Sequence, residues 1–95
     1  MITAVVLISA AIDAIPDVAT AVADLPAVSE VYSVAGDVDL VAMVRVREHD
    51  ELADVIAGGI AKVPGVESTT TLIAFRTYSR HDLEAAFAVG VDEAD

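Results

Sequence analysis

Apolar and polar residues alternate with two different periods along the chain. Residues 2–12 form a nearly unbroken apolar run rich in Val and Ile, which predicts a strand buried on both faces. Segments rich in β-branched residues and bounded by turn residues predict further strands at residues 27–35, 40–47 and 66–78. Residues 36–39 are a short turn between the second and third strands, so these strands are predicted to form an antiparallel hairpin.

The segment after the first strand has its apolar residues at helical spacing. They form one stripe, made of Ile15, Val18, Ala19, Val22 and Leu25. Asp13 is predicted to cap the N-terminus of this helix, and Pro16 falls in the first turn, where a missing N–H costs little. Pro26 is predicted to end the helix.

A second helical stripe follows the third strand. Its members are Leu52, Val55, Ile56, Gly59, Ile60 and Val63. Asp50 is predicted to cap this helix. Gly58 and Gly59 lower helix propensity by roughly 1 kcal/mol each, so a close backbone approach is expected there. A short helix at residues 81–89 and an acidic tail at residues 91–95 complete the chain.

The element order is β-α-β-β-α-β with a terminal helix. With right-handed crossovers this order predicts an α+β, ferredoxin-like sandwich, in which both helices cover one face of a four-stranded antiparallel sheet. Residues 1–90 are expected to form a single domain, because the chain has only 95 residues.

The third strand has apolar residues on both of its faces. Leu40 and Val44 point to one face, while Val41 and Met43 point to the other. Helices can cover only one of these faces. Two chains are therefore expected to pack sheet against sheet, and the alternative is that the C-terminal helix folds back over the second face.

Charge and composition narrow the functional classes. The net charge is −11, the wrong sign for holding a phosphate backbone, so direct nucleic-acid binding is not expected. The absence of cysteine removes disulfides, thiol catalysis and Cys-ligated metals. The apolar start is too short to span a bilayer and lacks the basic residues of a signal peptide. A cytoplasmic protein without a membrane association is expected.

Two motifs carry a resemblance to a known family. Residues 34–40, VAGDVDL, and residues 63–74, VPGVESTTTLIA, are similar to two patterns of the effector-binding (RAM) domain of the Lrp/AsnC transcription regulators. The resemblance extends over nearly the whole chain. It implies a domain that binds a free amino acid as effector, with no cofactor.

The same resemblance implies how such a domain assembles. Domains of this type dimerise through their sheets and often form rings, here an octamer or decamer. Full regulators also carry an N-terminal helix-turn-helix, whereas this chain begins at the first strand of the effector domain. We therefore expect a stand-alone sensing and oligomerisation module that does not itself bind DNA, and that co-assembles with full-length relatives or acts on another partner.

Two acidic residues in the hairpin turn are the first candidates for a ligand site. One interpretation is turn chemistry, in which Gly36 adopts a positive φ and Asp37 or Asp39 accepts bonds from nearby backbone N–H groups. The other is a ligand cleft in which a carboxylate binds the ammonium group of a free amino acid. The resemblance favours one acid in each role, with Asp39 at the ligand, and the turn residues Gly36, Asp37, Val38 and Asp39 are all predicted ligand contacts.

The threonines of the last strand are the second candidates. Thr69 and Thr71 share one face of the strand, and their hydroxyls could bind a ligand carboxylate. The resemblance gives weight to both and to the neighbouring Leu72. The alternative is β propensity, which accounts for Thr in any strand.

The histidines do not form a recognisable catalytic or metal-binding pattern. His49 and His81 are isolated in sequence, and each has charged neighbours typical of a solvated surface. We expect no catalytic and no metal-ligating residue. Two other classes of function stay open, namely a small dimeric α/β-barrel enzyme of monooxygenase or isomerase type and an assembly module that needs no ligand.

Overall fold

Buried and half-buried residues alternate along the first strand, so one face of the sheet is covered and the other is not. The computed structural model describes residues 1–80, and it contains four strands and two helices: β1 (Ile2–Ala10), α1 (Ile15–Ala23), β2 (Val28–Ser33), β3 (Leu40–Val46), α2 (His49–Gly58) and β4 (Val66–Ile73). The predicted helix at residues 81–89 and the acidic tail at residues 91–95 lie outside the described residues.

The strands form one antiparallel sheet in the order β2-β3-β1-β4. This is the ferredoxin-like α+β arrangement that the element order predicted. Both central strands, β1 and β3, are therefore paired on two sides, while β2 and β4 are the edges.

The core lies between the sheet and the helices. It comprises Ala4, Val6, Ile8 and Ala10 of β1, Val28 of β2, Leu40, Ala42, Val44 and Val46 of β3, Val18 and Val22 of α1, Leu52 of α2, and Ile60. Each fully buried Val or Ile side chain contributes about 1.5–3 kcal/mol, so this face supplies most of the stability.

The intervening residues of β1 and β3 point away from both helices. Val5 pairs with Met43 and Leu7 with Val41, and all four are half-buried. The prediction that β1 is buried on both faces is therefore wrong for the single chain, because the helices cover only one face. We call the surface formed by Val5, Leu7, Tyr32, Val41, Met43 and Leu72 the open face; Tyr32 is 48% exposed and Leu72 53% exposed.

Neither predicted N-cap forms. A 3-10 turn at Ile12–Ala14 incorporates Asp13, and the N-cap position of α1 is Ala14 without a side-chain hydrogen bond. The second helix begins two residues early, at His49 with Glu48 at the N-cap position, so Asp50 lies inside its first turn. Both acids still stabilise the N-terminus of the adjacent helix, because their negative charge interacts favourably with the helix dipole.

Several element ends also differ from the predicted ones. The last strand ends at Ile73, opposite Ala4 near the start of β1, and one further bond follows, from the amide of Ala74 to the carbonyl of Thr3 at 2.9 Å. The first helix ends at Ala23, ahead of Pro26, since proline disfavours helical backbone in the residue before it.

The predicted close approach at the glycine pair occurs at Gly59. A Cβ on Gly59 would lie 2.6 Å from the Val55 carbonyl oxygen and 3.3 Å from Leu25 Cδ1, whereas one on Gly58 would meet nothing within 4 Å. Gly65 makes a second close approach: its φ is +99°, and a Cβ there would lie 2.8 Å from Ala14 Cβ. The end of α2 therefore packs beside the C-terminal end of α1, and the turn before β4 packs beside its N-terminal end.

Candidate functional site

The loop between β2 and β3 is tied to the end of β1 by one aspartate. The backbone amide of Asp39 donates to the Ile8 carbonyl at 3.0 Å, and its carbonyl accepts from the Val34 amide at 3.0 Å. Its side chain also participates, because the Ala10 amide donates to Asp39 Oδ2 at 2.9 Å. Ala10 pairs with Val66 of β4, and on its other side the Asp39 carboxylate takes the place of a partner on β3.

The rest of this loop projects outward. Gly36 has a φ of +142°, which confirms the positive φ expected of it, and Gly36 and Asp37 are exposed while Val38 is half-buried. The sequence predicted one acid in a structural role. Asp39 has that role through Oδ2, and whether Asp39 also contacts a ligand stays a prediction.

The loop and the start of β4 lie at the same end of the sheet. Ile8 of β1 pairs with Leu40 on one side and with Thr69 on the other. Two strand spacings, roughly 9.5 Å, therefore separate the base of the loop from Thr69. The carboxylates of the loop and the hydroxyls of β4 therefore lie at the same end of the sheet, with β1 between them.

The three predicted positions on β4 do not share a face. Thr69 and Thr71 pair with Ile8 and Val6, so both lie on the helix-covered face and are half-buried. Leu72 pairs with Val5 and lies on the open face. The three side chains therefore do not converge on one face of a single chain, and their contact with a ligand stays a prediction.

A polar margin borders the open face. The Tyr32 hydroxyl donates a hydrogen bond to the Glu30 carboxylate, and this bond raises the pKa of Tyr32 above 10.0; desolvation and the charge of Glu30 act in the same direction, while Arg45 opposes them. The Arg45 Nη1 group donates to Ser29 Oγ at 3.2 Å. The margin therefore offers charged groups beside an apolar centre.

The helix side of the molecule contains a cleft that no sequence pattern predicted. It has a volume of about 400 Å³, and its lining comprises Leu25, Pro26, Ala27, Glu51, Asp54, Val55 and Gly59. Gly59, at the end of α2, allows a close approach to Leu25 in the connection after α1. The glycine pair and Pro26 were the only sequence signals of this cleft, and they indicate a close approach without indicating a cavity.

Other site classes have little support in the part of the chain that the structure describes. His49 is exposed at the start of α2, and His81 lies outside that part. Residues 1–80 contain no group of three His, Asp or Glu side chains placed to hold a metal ion. Neither helix within these residues has the length and apolar character needed to cross a membrane.

Comparisons with known proteins agree on one family. The family model described as the Lrp/AsnC ligand binding domain matches residues 3–83. The HTH-type transcriptional regulator FL11 of Pyrococcus horikoshii is 37% identical over 62 residues, which are 65% of this chain and 40% of that regulator. The chain thus spans less than half the length of the curated regulators it matches.

Solved structures show the same fold. The Thermus thermophilus protein TTHA0845 is 51% identical, with a TM-score of 0.80 over 84% of this chain and 100% of that one. The feast or famine regulatory protein of M. tuberculosis, solved in complex with L-methionine, is 29% identical, with a TM-score of 0.70 over 84% of this chain and 54% of that one. Escherichia coli AsnC, at 23% identity and a TM-score of 0.78, shares the fold over 82% of this chain.

Proposed function

Because the chain belongs to the Lrp/AsnC ligand-binding domain family, which its residues 3–83 match, we propose that it is a sensor of free amino acids whose assembly responds to the ligand. The observation that carries the proposal is the loop anchored by Asp39 at the same end of the sheet as Thr69. Support for the ligand class comes from the methionine complex of the mycobacterial relative.

The ammonium group of the amino acid binds the oxygen of Asp39 that Ala10 does not use. Asp39 Oδ2 already accepts the Ala10 amide, which fixes the direction of the carboxylate and leaves Oδ1 for a second donor. A hydrogen bond between an ammonium and a carboxylate is about twice as strong as a neutral one. Asp37, exposed on the same loop, adds a second negative charge.

The remaining predicted contacts divide between the two ends of the ligand. Backbone groups of Gly36 and Val38 line the loop, and the hydroxyls of Thr69 and Thr71 bind the ligand carboxylate. Leu72, on the opposite face, contributes from a neighbouring chain and contacts the ligand side chain. The complete site therefore requires more than one copy of the chain.

The chain dimerises by packing one open face on another. The side chains of the open face are apolar at the centre, and Glu30 and Arg45 lie at the margin. Monomeric proteins seldom expose an apolar patch of this kind. Stable dimers bury roughly 800 Å² on each partner, an area that a four-stranded sheet can supply.

Ligand binding and assembly are coupled by mass action. A ligand held by more than one copy stabilises the assembled state, by about 2.7 kcal/mol at a concentration one hundred times its Kd. Dimers then join into larger rings, and the output is the change in assembly or in binding to a full-length relative. The module acts as a regulator without catalysis, and it does not contact DNA itself, since its net charge is −11.

Calorimetric titration with the common amino acids tests the ligand. Asp39→Asn keeps an acceptor for Ala10 and removes the charge, so we expect it to fold normally and to lose at least tenfold in affinity. Asp24→Asn, an exposed change at the opposite end of the sheet, is the matched control and should bind as the original does. No heat at millimolar ligand, or equal affinity in Asp39→Asn, would contradict the proposal.

An assembly module that needs no ligand is the second candidate, because the open face explains association without explaining binding. Multi-angle light scattering with and without pooled amino acids separates the two. A mass or thermal stability that changes with one pool supports the sensor. A stable oligomer that responds to no pool supports the assembly module.

A further inference from the structure

Residues 74–80 leave the sheet as a segment that we call the arm. After the last bond to β1, from Ala74 to Thr3, no strand within residues 1–80 pairs with the arm. Phe75 is 96% exposed and Tyr78 is 71% exposed. Two large aromatic side chains in water on a short segment are unfavourable, because each offers about 150–250 Å² of surface that burial would remove from water.

The charge of the arm is opposite to that of the chain. Arg76 and Arg80 are its charged residues, and it contains no Asp or Glu, although the chain as a whole has a net charge of −11. The arm therefore complements a surface that is both apolar and acidic, because such a surface could bury its aromatic rings and bind its guanidinium groups.

The cleft on the helix side is such a surface. Its apolar part comes from Leu25, Pro26 and Val55, and its acidic part from Glu51 and Asp54. Glu51, Asp54 and Val55 lie three and four residues apart on α2, so their side chains share one face of the helix. Both acids are exposed, and a volume of about 400 Å³ is large enough to admit an aromatic ring.

We propose that the arm of one copy of this chain docks in the cleft of a second copy. The Phe75 ring enters the apolar part of the cleft, and the Arg76 guanidinium binds the carboxylates of Glu51 and Asp54 at its edge. Bonds between arginine and carboxylates are strong and directional, so they fix the arm in one orientation.

The position of the two surfaces favours a second copy over the same chain. The arm continues β4, at one edge of the sheet, whereas the cleft is built on the connection into β2, at the other edge. Three strand spacings, roughly 14 Å, separate these edges. Copies placed side by side bring the arm edge of one against the cleft edge of the next.

Such a contact joins two different surfaces, so it repeats from copy to copy and closes into a ring or continues as a filament. It is also independent of the open face. Loss of the arm contact should therefore leave a dimer joined through the sheets, and the amino-acid site is tested separately by calorimetry.

Cysteine cross-linking tests the contact, because the chain has no cysteine of its own. A Phe75→Cys protein is mixed with a Val55→Cys protein under mild oxidation, and we expect the mixed disulfide dimer to exceed either homodimer at least fivefold. Asp13→Cys, exposed and away from the cleft, replaces Val55→Cys as the control and should give no such excess. Equal amounts of mixed and homodimeric products would overturn the proposal.

A double variant tests whether the contact is made between copies. Phe75→Cys with Val55→Cys in one chain should yield covalent multimers on a non-reducing gel, whereas a monomer with an internal disulfide would overturn the proposal. Light scattering on Phe75→Ala gives an independent measure. Because Phe75 is exposed, this variant should fold and fall to the mass of a dimer, and a mass equal to that of the original chain would contradict the proposal.

Discussion

At the scale of single residues, the carboxylate of Asp39 is the most informative group in the molecule. The sequence showed two acids in a turn and predicted that one would shape it. It could not show which, since the partner of Asp39 is the amide of Ala10, 29 residues away in the chain. Local turn preferences contain no information about a bond of that range.

Removal of this carboxylate should destabilise the fold. Asp39→Ala leaves the Ala10 amide without its acceptor, so we expect the free energy of unfolding to fall by about 1–3 kcal/mol. Asp39→Asn retains an acceptor and should lose less. Urea denaturation measures both, and Asp37→Ala, at an exposed position, should stay within about 0.5 kcal/mol of the original. Equal losses in Asp39→Ala and Asp37→Ala would contradict the anchoring role.

The pair of Glu30 and Tyr32 predicts a titration. Glu30 raises the pKa of Tyr32 through its hydrogen bond and its charge, so Glu30→Gln should lower that pKa toward 10.0. The phenolate absorbance reports it in a Tyr78→Phe background, where Tyr32 is the sole tyrosine. Since the folded-state pKa is raised, the stability from this pair is present below pH 10.0 and is lost as the pH rises through the folded-state pKa.

Glu67→Gln is the control for this titration, because Glu67 is an exposed acid on β4, at the far edge of the sheet. It should leave the tyrosine curve unchanged. A curve for Glu30→Gln that coincides with that of Glu67→Gln would show that the hydrogen bond to Glu30 does not form in solution.

At the scale of elements, the apolar periodicity predicted every strand and helix within residues 1–80, and the differences lie at their ends. The predicted β4 continued to Tyr78 because its composition stays β-favourable, but the strand stops at Ile73, opposite Ala4 near the start of β1. Asp13 and Asp50 are good caps by type. Each falls inside a turn or helix that begins earlier, so tertiary packing overrides the local preference.

The turn before β4 predicts a contrast between two glycines. Gly65→Ala must take φ +99° and place a Cβ 2.9 Å from Val18 Cγ2, so we expect a loss of about 1–3 kcal/mol in unfolding free energy. Gly58→Ala lies at the end of α2 with open space around its Cβ and should gain about 0.5–1 kcal/mol. Thermal unfolding measures both. If Gly65→Ala were as stable as Gly58→Ala, the result would contradict the close packing of this turn on α1.

At the scale of the whole molecule, the feature that matters most is the open face. The sequence predicted it correctly from the two-sided apolar pattern of β3, since strand side chains alternate strictly. The cleft could not be predicted in this way, because it depends on how closely α2 approaches the connection after α1. The surfaces proposed for assembly therefore differ in how far the sequence alone reveals them.

One substitution on the open face should abolish the proposed dimer. Met43→Glu puts a charge at the centre of the face, and in a dimer two such charges would be buried without partners. In a Phe75→Ala background, which removes the proposed arm contact, we expect the mass from light scattering to fall from that of a dimer to that of a monomer while the circular dichroism of the chain is retained. Thr20→Glu, on the exposed side of α1, adds the same charge and should remain a dimer in that background. A dimeric Met43→Glu, Phe75→Ala protein would exclude the open face as the interface.

The most direct test of the central claim is the calorimetric titration of the chain and of Asp39→Asn with individual amino acids. The proposal predicts that at least one amino acid binds the original chain and that its affinity falls at least tenfold in Asp39→Asn, with the folding of both proteins unchanged. If no amino acid binds at millimolar concentration, or if Asp39→Asn binds equally well, the anchored loop is a structural turn and the chain is not a sensor of this class.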